Sequence, residues 1–250
     1  MTLTCLERIC DVETVDELWG VFTERMAGYG FDRLLYGFTR FKSGSSLGNV
    51  KDSLVLTNYD PVFVEKYIEE GLFIHAPMLR WSIENTGACS WSWMKGMIET
   101  DAFTESERKV LALNRAFGIT AGYTISFKSS TIRTKGALAL SGKPGMSQAD
   151  VDEVWKKHGQ EILVICNVAH LKFLSLPYSG TRKPLTNRQR EVLEWVGDGK
   201  TVQDIAVIIG LTVATIEKHL RLAREALDVE TTAQAVLKAS YQNQIFILKV

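Results

Sequence analysis

Residues 185–229 read LTNRQREVLEWVGDGKTVQDIAVIIGLTVATIEKHLRLAREALDV, and this stretch decides how the C-terminal quarter of the chain folds. Thr186 and Gln189 form a capping-box pattern, in which each side chain can bond the other residue's backbone amide at the start of a helix. Glycines at 197 and 199 then allow that helix to end. The spacing of apolar residues predicts helices, with no strand, over 187–198, 202–209, 213–227 and 232–243.

A short glycine-containing turn joins the second and third of these helices. It reads Gly210-Leu211-Thr212, and Thr212 can cap the third helix. Two helices joined in this way form a helix-turn-helix, whose later helix enters the major groove of DNA. The C-terminal quarter is therefore predicted to be a small all-α helix-turn-helix domain whose partner is double-stranded DNA.

The third helix carries the predicted DNA-reading surface. Ile216, Leu220 and Ala223 recur at helical spacing and face the core, so the charged residues between them project outward. Arginine can contact guanine, glutamate can accept from cytosine, and helix N-termini bind phosphate. A solvated charged face is the alternative explanation for this one helix. The predicted DNA-binding residues are Lys200, Thr201, Thr215, Glu217, Lys218, Arg221 and Arg224.

The whole run resembles the C-terminal domain of LuxR-type regulators. The shared residues are LT-x-R, EVL-x-W, GKT, IA, T-I-x-x-H-L and L-x-V, in that order. Gln189 departs from the family, which usually has glutamate there, but glutamine keeps the capping hydrogen bond. The resemblance implies that the fourth helix, from Thr232 to Tyr241, pairs two such domains, so a homodimer is expected.

Composition is that of an ordinary globular protein. The 250 residues include 29 Lys and Arg and 29 Asp and Glu, and a net charge of zero argues against a nonspecific polyanion binder. The sequence has no apolar run of about 18 residues and no signal-peptide pattern, so a cytoplasmic protein with no membrane partner is expected. Its four cysteines form no CxxC pair and no cluster with histidine, so neither a metal site nor a disulfide framework is predicted.

The segment LPYSGTRKP, residues 176–184, is the predicted linker, because prolines, a glycine and two adjacent cations follow a long helical pattern. It divides residues 1–175 from residues 185–250. The first part mixes helices with strand-like runs, at 34–41, 54–59, 121–127 and 136–141. Since no βαβ regularity links them, we expect an α+β domain, an α/β/α sandwich whose antiparallel sheet has helices on both faces.

Residues of the first part are similar in order and spacing to the autoinducer-binding domain of LuxR-type quorum-sensing receptors. They are Asn58, Tyr59, Phe63, Tyr67, Pro77, Trp91, Gly118 and Gly122. A phosphorylated receiver domain, which can also precede this tail, would need an acidic pair, an acceptor aspartate and a later lysine in an order that the sequence lacks. The resemblance implies a ligand-sensing domain that encloses an acyl-homoserine lactone.

Two residues depart from that family pattern. Phe63 stands where the family has a tryptophan that donates to the lactone carbonyl, and Ala76 where it has an aspartate that accepts from the ligand amide. A buried amide left unpaired costs about 1–3 kcal/mol. His75 is a candidate replacement acceptor. The predicted ligand-binding residues are Tyr59, Phe63, Tyr67, His75, Ala76 and Trp91, and an ordinary aromatic core is the alternative explanation for the aromatic ones.

The leading hypothesis is a transcription regulator that binds DNA and responds to a small signal, an acyl-homoserine lactone or a related ligand. A ligand-independent regulator, or one that acts by heterodimerising with a related receptor, is the alternative. The sequence shows no nucleophile elbow, no phosphate loop and no carboxylate or histidine cluster with metal spacing. No enzyme, no catalytic residue and no cofactor are therefore predicted.

Overall fold

The computed structural model of the protein describes residues 2–44, 46–100, 102–178 and 182–247. The chain divides into two units, Met1–Leu174 and Ser175–Val250. Within the predicted linker 176–184, residues 179–181 lie outside the described residues.

The first unit alternates helices with short strands. In chain order these are α1 (Thr2–Asp11), α2 (Val15–Gly28), β1 (Phe31–Thr39), β2 (Leu54–Thr57), α3 (Pro61–Val64), α4 (Pro77–Glu84), β3 (Gly87–Ser90), α5 (Lys95–Glu99), α6 (Glu105–Ala116), β4 (Gly122–Ser126), β5 (Lys135–Gly142) and α7 (Gln148–Ser175). A π-helical turn at Glu65–Glu69 and 3-10 turns at Val50–Asp52, Leu72–His75 and Trp91–Met94 complete the described elements.

The strands form one sheet in the order β2-β1-β5-β4-β3, and every neighbouring pair is antiparallel. The predicted antiparallel sheet is confirmed. The ends of four of its strands, β1, β2, β4 and β5, lie within three residues of the ends of the predicted runs. The edge strand β3 was not predicted. Its sequence, Gly-Ala-Cys-Ser, holds no β-branched or aromatic residue, which are the residues that favour strands.

The two faces of the sheet carry side chains of different size. Side chains alternate between faces along a strand, so Tyr36, Leu138 and Leu140 share one face and are buried there. The Tyr36 ring lies 4.8 Å from the ring of Phe173 on α7, and α2 packs on the same region. The opposite face is covered by the segment from α3 to α6. Helices therefore lie on both faces, as predicted.

Two predicted helix starts in this unit are present. Thr104 and Glu107 form a capping box at the start of α6. At the start of α7 the Ser147 amide donates to the Asp150 carboxylate at 2.8 Å, and the Asp150 amide donates back to the Ser147 hydroxyl at 3.2 Å. Each reciprocal pair satisfies backbone donors that the first turn of a helix leaves free.

The second unit consists of α8 (Asn187–Gly197), α9 (Val202–Ile209), α10 (Val213–Leu227) and α11 (Thr232–Tyr241). The predicted bounds of α9 and α10 are confirmed, while α8 and α11 end one and two residues earlier than predicted. Gly210 adopts a φ of 71° and ends α9, as the turn between the two helices requires. Apolar residues of all four helices form one core, which includes Val192, Ile205, Ile216, Leu220 and Ala235.

No helix in the described ranges has the length and apolar character needed to cross a membrane. Cys5, Cys10, Cys89 and Cys166 are all free thiols. Within the same ranges no group of histidine, cysteine or acidic side chains is arranged to hold a metal ion.

His170 of α7 generates a prediction about pH. Its ring stacks on Phe127 at a centroid distance of 4.0 Å, and its Nδ1 lies 2.8 Å from the Tyr36 hydroxyl. Burial lowers the pKa of His170 from 6.5 to about 4. Between these values the unfolded chain binds a proton that the folded chain does not, so the free energy of unfolding falls as the pH drops from 6.5 towards 4.

Urea unfolding of the first unit at pH 7 and pH 5 measures this loss, and in His170→Phe we expect a smaller loss between the same two pH values. Equal losses in both proteins would show that His170 does not carry the effect.

Candidate functional site

A cavity of about 630 Å³ lies between the sheet and the segment from α3 to α6. This volume falls within the roughly 300–1,000 Å³ of typical ligand pockets. Three small residues of the sheet line the wall beside larger ones such as Leu35 and Val55: Gly37 of β1 lies opposite Ala137 of β5, and Ala139 follows two residues later on the same face. Larger side chains there would fill the space, so these small residues create the cavity.

Three aromatic residues form one end of the cavity. The Phe63 ring meets the Tyr59 ring edge-on at 5.0 Å and stacks on the Tyr67 ring at 4.9 Å. Phe117 contacts Phe63 from a third side at 5.5 Å. Tyr59, Phe63 and Tyr67, all predicted ligand-binding residues, therefore belong to one aromatic cluster, and all three line the cavity.

The two tyrosine hydroxyls of this cluster differ in their partners. The Tyr59 hydroxyl lies 2.5 Å from Ser141 Oγ on β5. Tyr67, by contrast, forms no hydrogen bond with any residue in the described part of the chain. Burial raises the pKa of Tyr59 to about 12 and raises the pKa of Tyr67 as well, so both hydroxyls keep their protons and can donate. At the aromatic end of the cavity, the Tyr67 hydroxyl is therefore available to donate a hydrogen bond to a ligand.

Trp91 also lines the cavity, and a hydrogen bond to the sheet fixes its side chain. Its indole N–H donates to Thr124 Oγ1 on β4 at 2.9 Å. A Cβ on Gly122 would lie 2.4 Å from the Leu140 carbonyl and 2.9 Å from the Trp91 ring, which explains why glycine stands there. The Trp91 donor is therefore already used within the protein.

Ala76 and His75, adjacent in sequence, have different environments. Ala76 is buried and lines the cavity, whereas His75 is exposed and does not. His75 closes a 3-10 turn at Leu72–His75, and that geometry turns the two neighbouring side chains to different sides. His75 therefore does not supply the acceptor that Ala76 lacks.

Asn114 and Lys135 are among the polar residues that line the cavity and were not predicted from the sequence. Asn114 of α6 has a buried Oδ1 that accepts no hydrogen bond within the described residues. Lys135, the first residue of β5, is only 8% exposed, and its Nζ donates to the Asn85 carbonyl at 3.3 Å. Asn114 lies four residues after the buried Val110, a spacing that places both on one face of a helix and could have drawn attention to it. Lys135 precedes a predicted strand and gives no such signal.

The predicted DNA-reading residues lie mainly on the outer face of α10. Glu217, Lys218 and Arg221 are exposed there, while Ile216 and Leu220 face the core. Arg221 forms an ion pair with Glu225 one turn later at 2.5 Å, and both side chains are more than half exposed. Exposed pairs of this kind contribute little to stability, so the Arg221 guanidinium can exchange Glu225 for another acceptor.

The donors at the start of α9 are engaged within the helix itself. The Thr201 amide and hydroxyl donate to the Asp204 carboxylate at 3.0 and 2.7 Å, and these bonds lower the pKa of Asp204. Lys200 beside them is exposed. At the start of α10 the Thr215 hydroxyl lies 2.8 Å from that of Thr212. Lys200 is therefore the more available phosphate contact at the start of α9.

Arg224 differs from the other predicted DNA contacts. It is partly buried, and its Nη1 donates to Thr232 Oγ1 at 3.0 Å, in the first turn of α11. Helical spacing predicted that Arg224 projects outward, but α11 folds back beside the end of α10 and supplies a partner for it. Its observed contact connects the two helices.

Two family models match this chain. One, described as autoinducer binding domain, matches residues 14–173, and the other, described as bacterial regulatory proteins, luxR family, matches residues 183–239. The chain belongs to the LuxR family of bacterial transcription regulators. The predicted family is thus confirmed, with an autoinducer-binding domain ahead of a helix-turn-helix domain.

Known LuxR-family proteins resemble the chain over most of its length. Transcriptional activator protein AnoR of Acinetobacter nosocomialis is 26% identical over 232 residues, which are 91% of this chain and 92% of AnoR. Among solved structures, SdiA in complex with octanoyl-rac-glycerol has a TM-score of 0.54 at 17% identity, covering 99% of this chain and 96% of that one. The N-acylhomoserine lactone dependent factor CepR2 from Burkholderia cenocepacia has a TM-score of 0.53 at 14% sequence identity. That match covers 68% of this chain and 92% of the CepR2 chain. These structures share the fold.

The placement of Arg224 generates a prediction about stability. Arg224→Ala removes the bond to Thr232, so we expect it to lower the free energy of unfolding of the second unit by about 1 kcal/mol. Arg221→Ala removes the same charge from an exposed site on the same helix and is expected to change stability by less than about 0.5 kcal/mol. Chemical denaturation of both variants gives the comparison, and equal effects would contradict the assigned role of Arg224.

Proposed function

We propose that the second unit binds double-stranded DNA through α10, with Arg221, Lys218 and Glu217 facing base edges. The observation that carries this proposal is the two-sided α10, which buries an apolar stripe in the core and exposes this charged set next to the Gly210 turn. In helix-turn-helix proteins the corresponding helix lies in the major groove, where arginine can pair with guanine in a bidentate manner. Lys200, Thr201 and Thr215 are proposed to lie near phosphates.

The active species in this proposal is a homodimer. Helix α11 exposes Leu237, an apolar side chain with 53% of its surface accessible, on the helix that pairs two such domains in the family. Two copies would place two α10 helices on successive half-sites of the duplex. Because the proposed partner is the chromosome, we also propose the cytoplasm as the place of action.

The first unit is proposed to bind an acyl ligand in the cavity, either an acyl-homoserine lactone or a related molecule. SdiA has been solved with octanoyl-rac-glycerol, and CepR2 is named as dependent on N-acylhomoserine lactone. In this chain Phe63 and Ala76 cannot form the two hydrogen bonds that the family residues provide. The Tyr67 hydroxyl and the buried Asn114 Oδ1 offer one donor and one acceptor instead.

Ligand binding would regulate the protein through the relative stability of two arrangements of the dimer. A ligand shifts such an equilibrium only by the difference between its affinities for the two states. A ligand that orders the cavity walls favours the arrangement in which those walls are closed. That arrangement is proposed to determine how the two DNA-binding units are presented.

The DNA contact is tested by replacing one arginine at a time. Duplexes are selected from a random pool with the wild-type protein, and affinities are then measured for selected and scrambled sequences. Arg221→Ala should lose about 1–3 kcal/mol on the selected duplex, which is roughly 5- to 150-fold. It should change binding to scrambled DNA far less.

Arg188→Ala is the matched control, because Arg188 is paired with Glu191 on the exposed side of α8 and its loss removes the same charge away from α10. Equal losses on both duplexes in Arg221→Ala would mean that Arg221 contacts only phosphate. No preference of the wild-type protein for any duplex would overturn the proposed function.

The ligand is tested by thermal denaturation with N-acyl homoserine lactones and 1-octanoylglycerol. We expect a dose-dependent rise in melting temperature for the wild type. Ala137→Phe, which places a ring in the cavity, should abolish the rise. Tyr67→Phe keeps the shape but lacks the hydroxyl, so about 1 kcal/mol of binding should be lost.

His75→Ala is the control for this experiment, since His75 is exposed beside the cavity and should have no effect. If none of these compounds raises the melting temperature of the wild type, the result would instead support a ligand-independent regulator, or one that acts by pairing with a related receptor.

A further inference from the structure

Lys135 is a buried charge in a mostly apolar cavity, whose other lining cations among the described residues, Arg108 and Arg115, are exposed. It begins β5, lies opposite Thr39 of β1 in the sheet register, and lines the cavity with 8% of its surface accessible. Lysine is almost never buried to this extent unless its charge is paired. Burial of an unpaired cation at this position is costly, so a partner for its charge would stabilise the protein.

The ammonium group has fewer partners than it can accommodate. It has three N–H donors, and one of them reaches the Asn85 carbonyl at 3.3 Å, at the C-terminal end of α4. Its contacts among the described residues include this carbonyl and no carboxylate. The pKa of Lys135 is lowered, mainly by burial and also by the like charge of Lys42. The protein therefore holds a cation without supplying its counter-charge.

Lys135 lies at the opposite end of the sheet face from the aromatic cluster. Lys135, Ala137, Ala139 and Ser141 alternate onto one face of β5, and the Tyr59 hydroxyl is bonded to Ser141. The seven residues from Lys135 to Ser141 span about 20 Å of strand. Between the two ends β5 contributes the small side chains of Ala137 and Ala139, beside Gly37 of β1, while Leu35 and Val55 add apolar surface to the same wall. The cavity is thus suited to an elongated apolar chain with a polar group at the Lys135 end.

We propose that the ligand of this cavity carries a carboxylate at the end of an aliphatic chain, and that this carboxylate pairs with the ammonium of Lys135. The proposal rests on the proposed ligand-binding function of the first unit and adds the chemistry of one end of the ligand. A carboxylate accepts two charge-assisted hydrogen bonds from the donors that Asn85 leaves free. The aromatic end is then free to accept either a methyl terminus or a second, neutral polar group.

The probes that test this proposal are a medium-chain fatty acid, dodecanoic acid, and its methyl ester, which share a chain and differ in charge. A third probe, the monomethyl ester of dodecanedioic acid, adds a neutral polar group at the other end and shows whether the aromatic end prefers one. Affinities are measured by calorimetry on the full-length protein. The wild type should bind the acids at least tenfold more tightly than the methyl dodecanoate.

Two substitutions of Lys135 separate charge from shape. In Lys135→Met, which has a similar length and no charge, the preference for the acid should disappear while the ester still binds. Lys135→Arg keeps the charge and should keep a preference for the acid. Without ligand, Lys135→Met should also melt at a higher temperature than the wild type, because an unpaired buried cation has been removed.

The outcomes distinguish this inference from the proposed function. Equal binding of acid and ester by the wild type, or an undiminished preference in Lys135→Met, would overturn the role of Lys135 and leave a ligand-binding cavity in place. If neither these probes nor the lactones bind the wild type, both the inference and the proposed ligand-binding function fail.

Discussion

The alternation of side chains along β1 and β5 is the constraint on which the first unit depends. On one face Tyr36, Leu138 and Leu140 are large and pack against the helices that complete the core. On the other face the same strands carry Gly37 and Ala137, which leave a cavity. A shift of the strand register by one residue would exchange the two faces. The same hydrogen-bonding register therefore sets both the stability of the core and the existence of the pocket.

The second unit depends on a different local device, the threonine at the start of each helix. Thr186, Thr201, Thr212 and Thr231 each accept a backbone hydrogen bond at a helix N-terminus. A cap of this type contributes about 1 kcal/mol, which matters in a unit too small to bury a large core. The caps set where α9 and α10 begin, so they also set which residues of α10 face outward. Stability and DNA-facing geometry are thus determined by the same short-range bonds.

Features with local causes could be predicted from the sequence, and features with distant causes could not. The bounds of α9 and α10 follow from threonine caps and from Gly210, which are readable within a few residues. The edge strand β3 has no local signal, because it is held by its pairing with β4. Lys135 is bonded to a carbonyl fifty residues earlier in the chain, so its burial could not be inferred from its neighbours. Arg224 likewise required the position of α11.

The polar groups of the cavity belong to separate elements, and this distribution affects how a ligand would act. In the family pattern the lactone partners occupy the positions of Phe63 and Ala76, which here are apolar. Free polar atoms lie instead on a π-helical turn at Tyr67, on α6 at Asn114 and on β5 at Lys135. A ligand that bonds all three would connect the sheet to two segments of the opposite wall. Because the Tyr67 segment is a short π-helical turn, a ligand that tied it to α6 and to the sheet would add stability that this turn lacks alone.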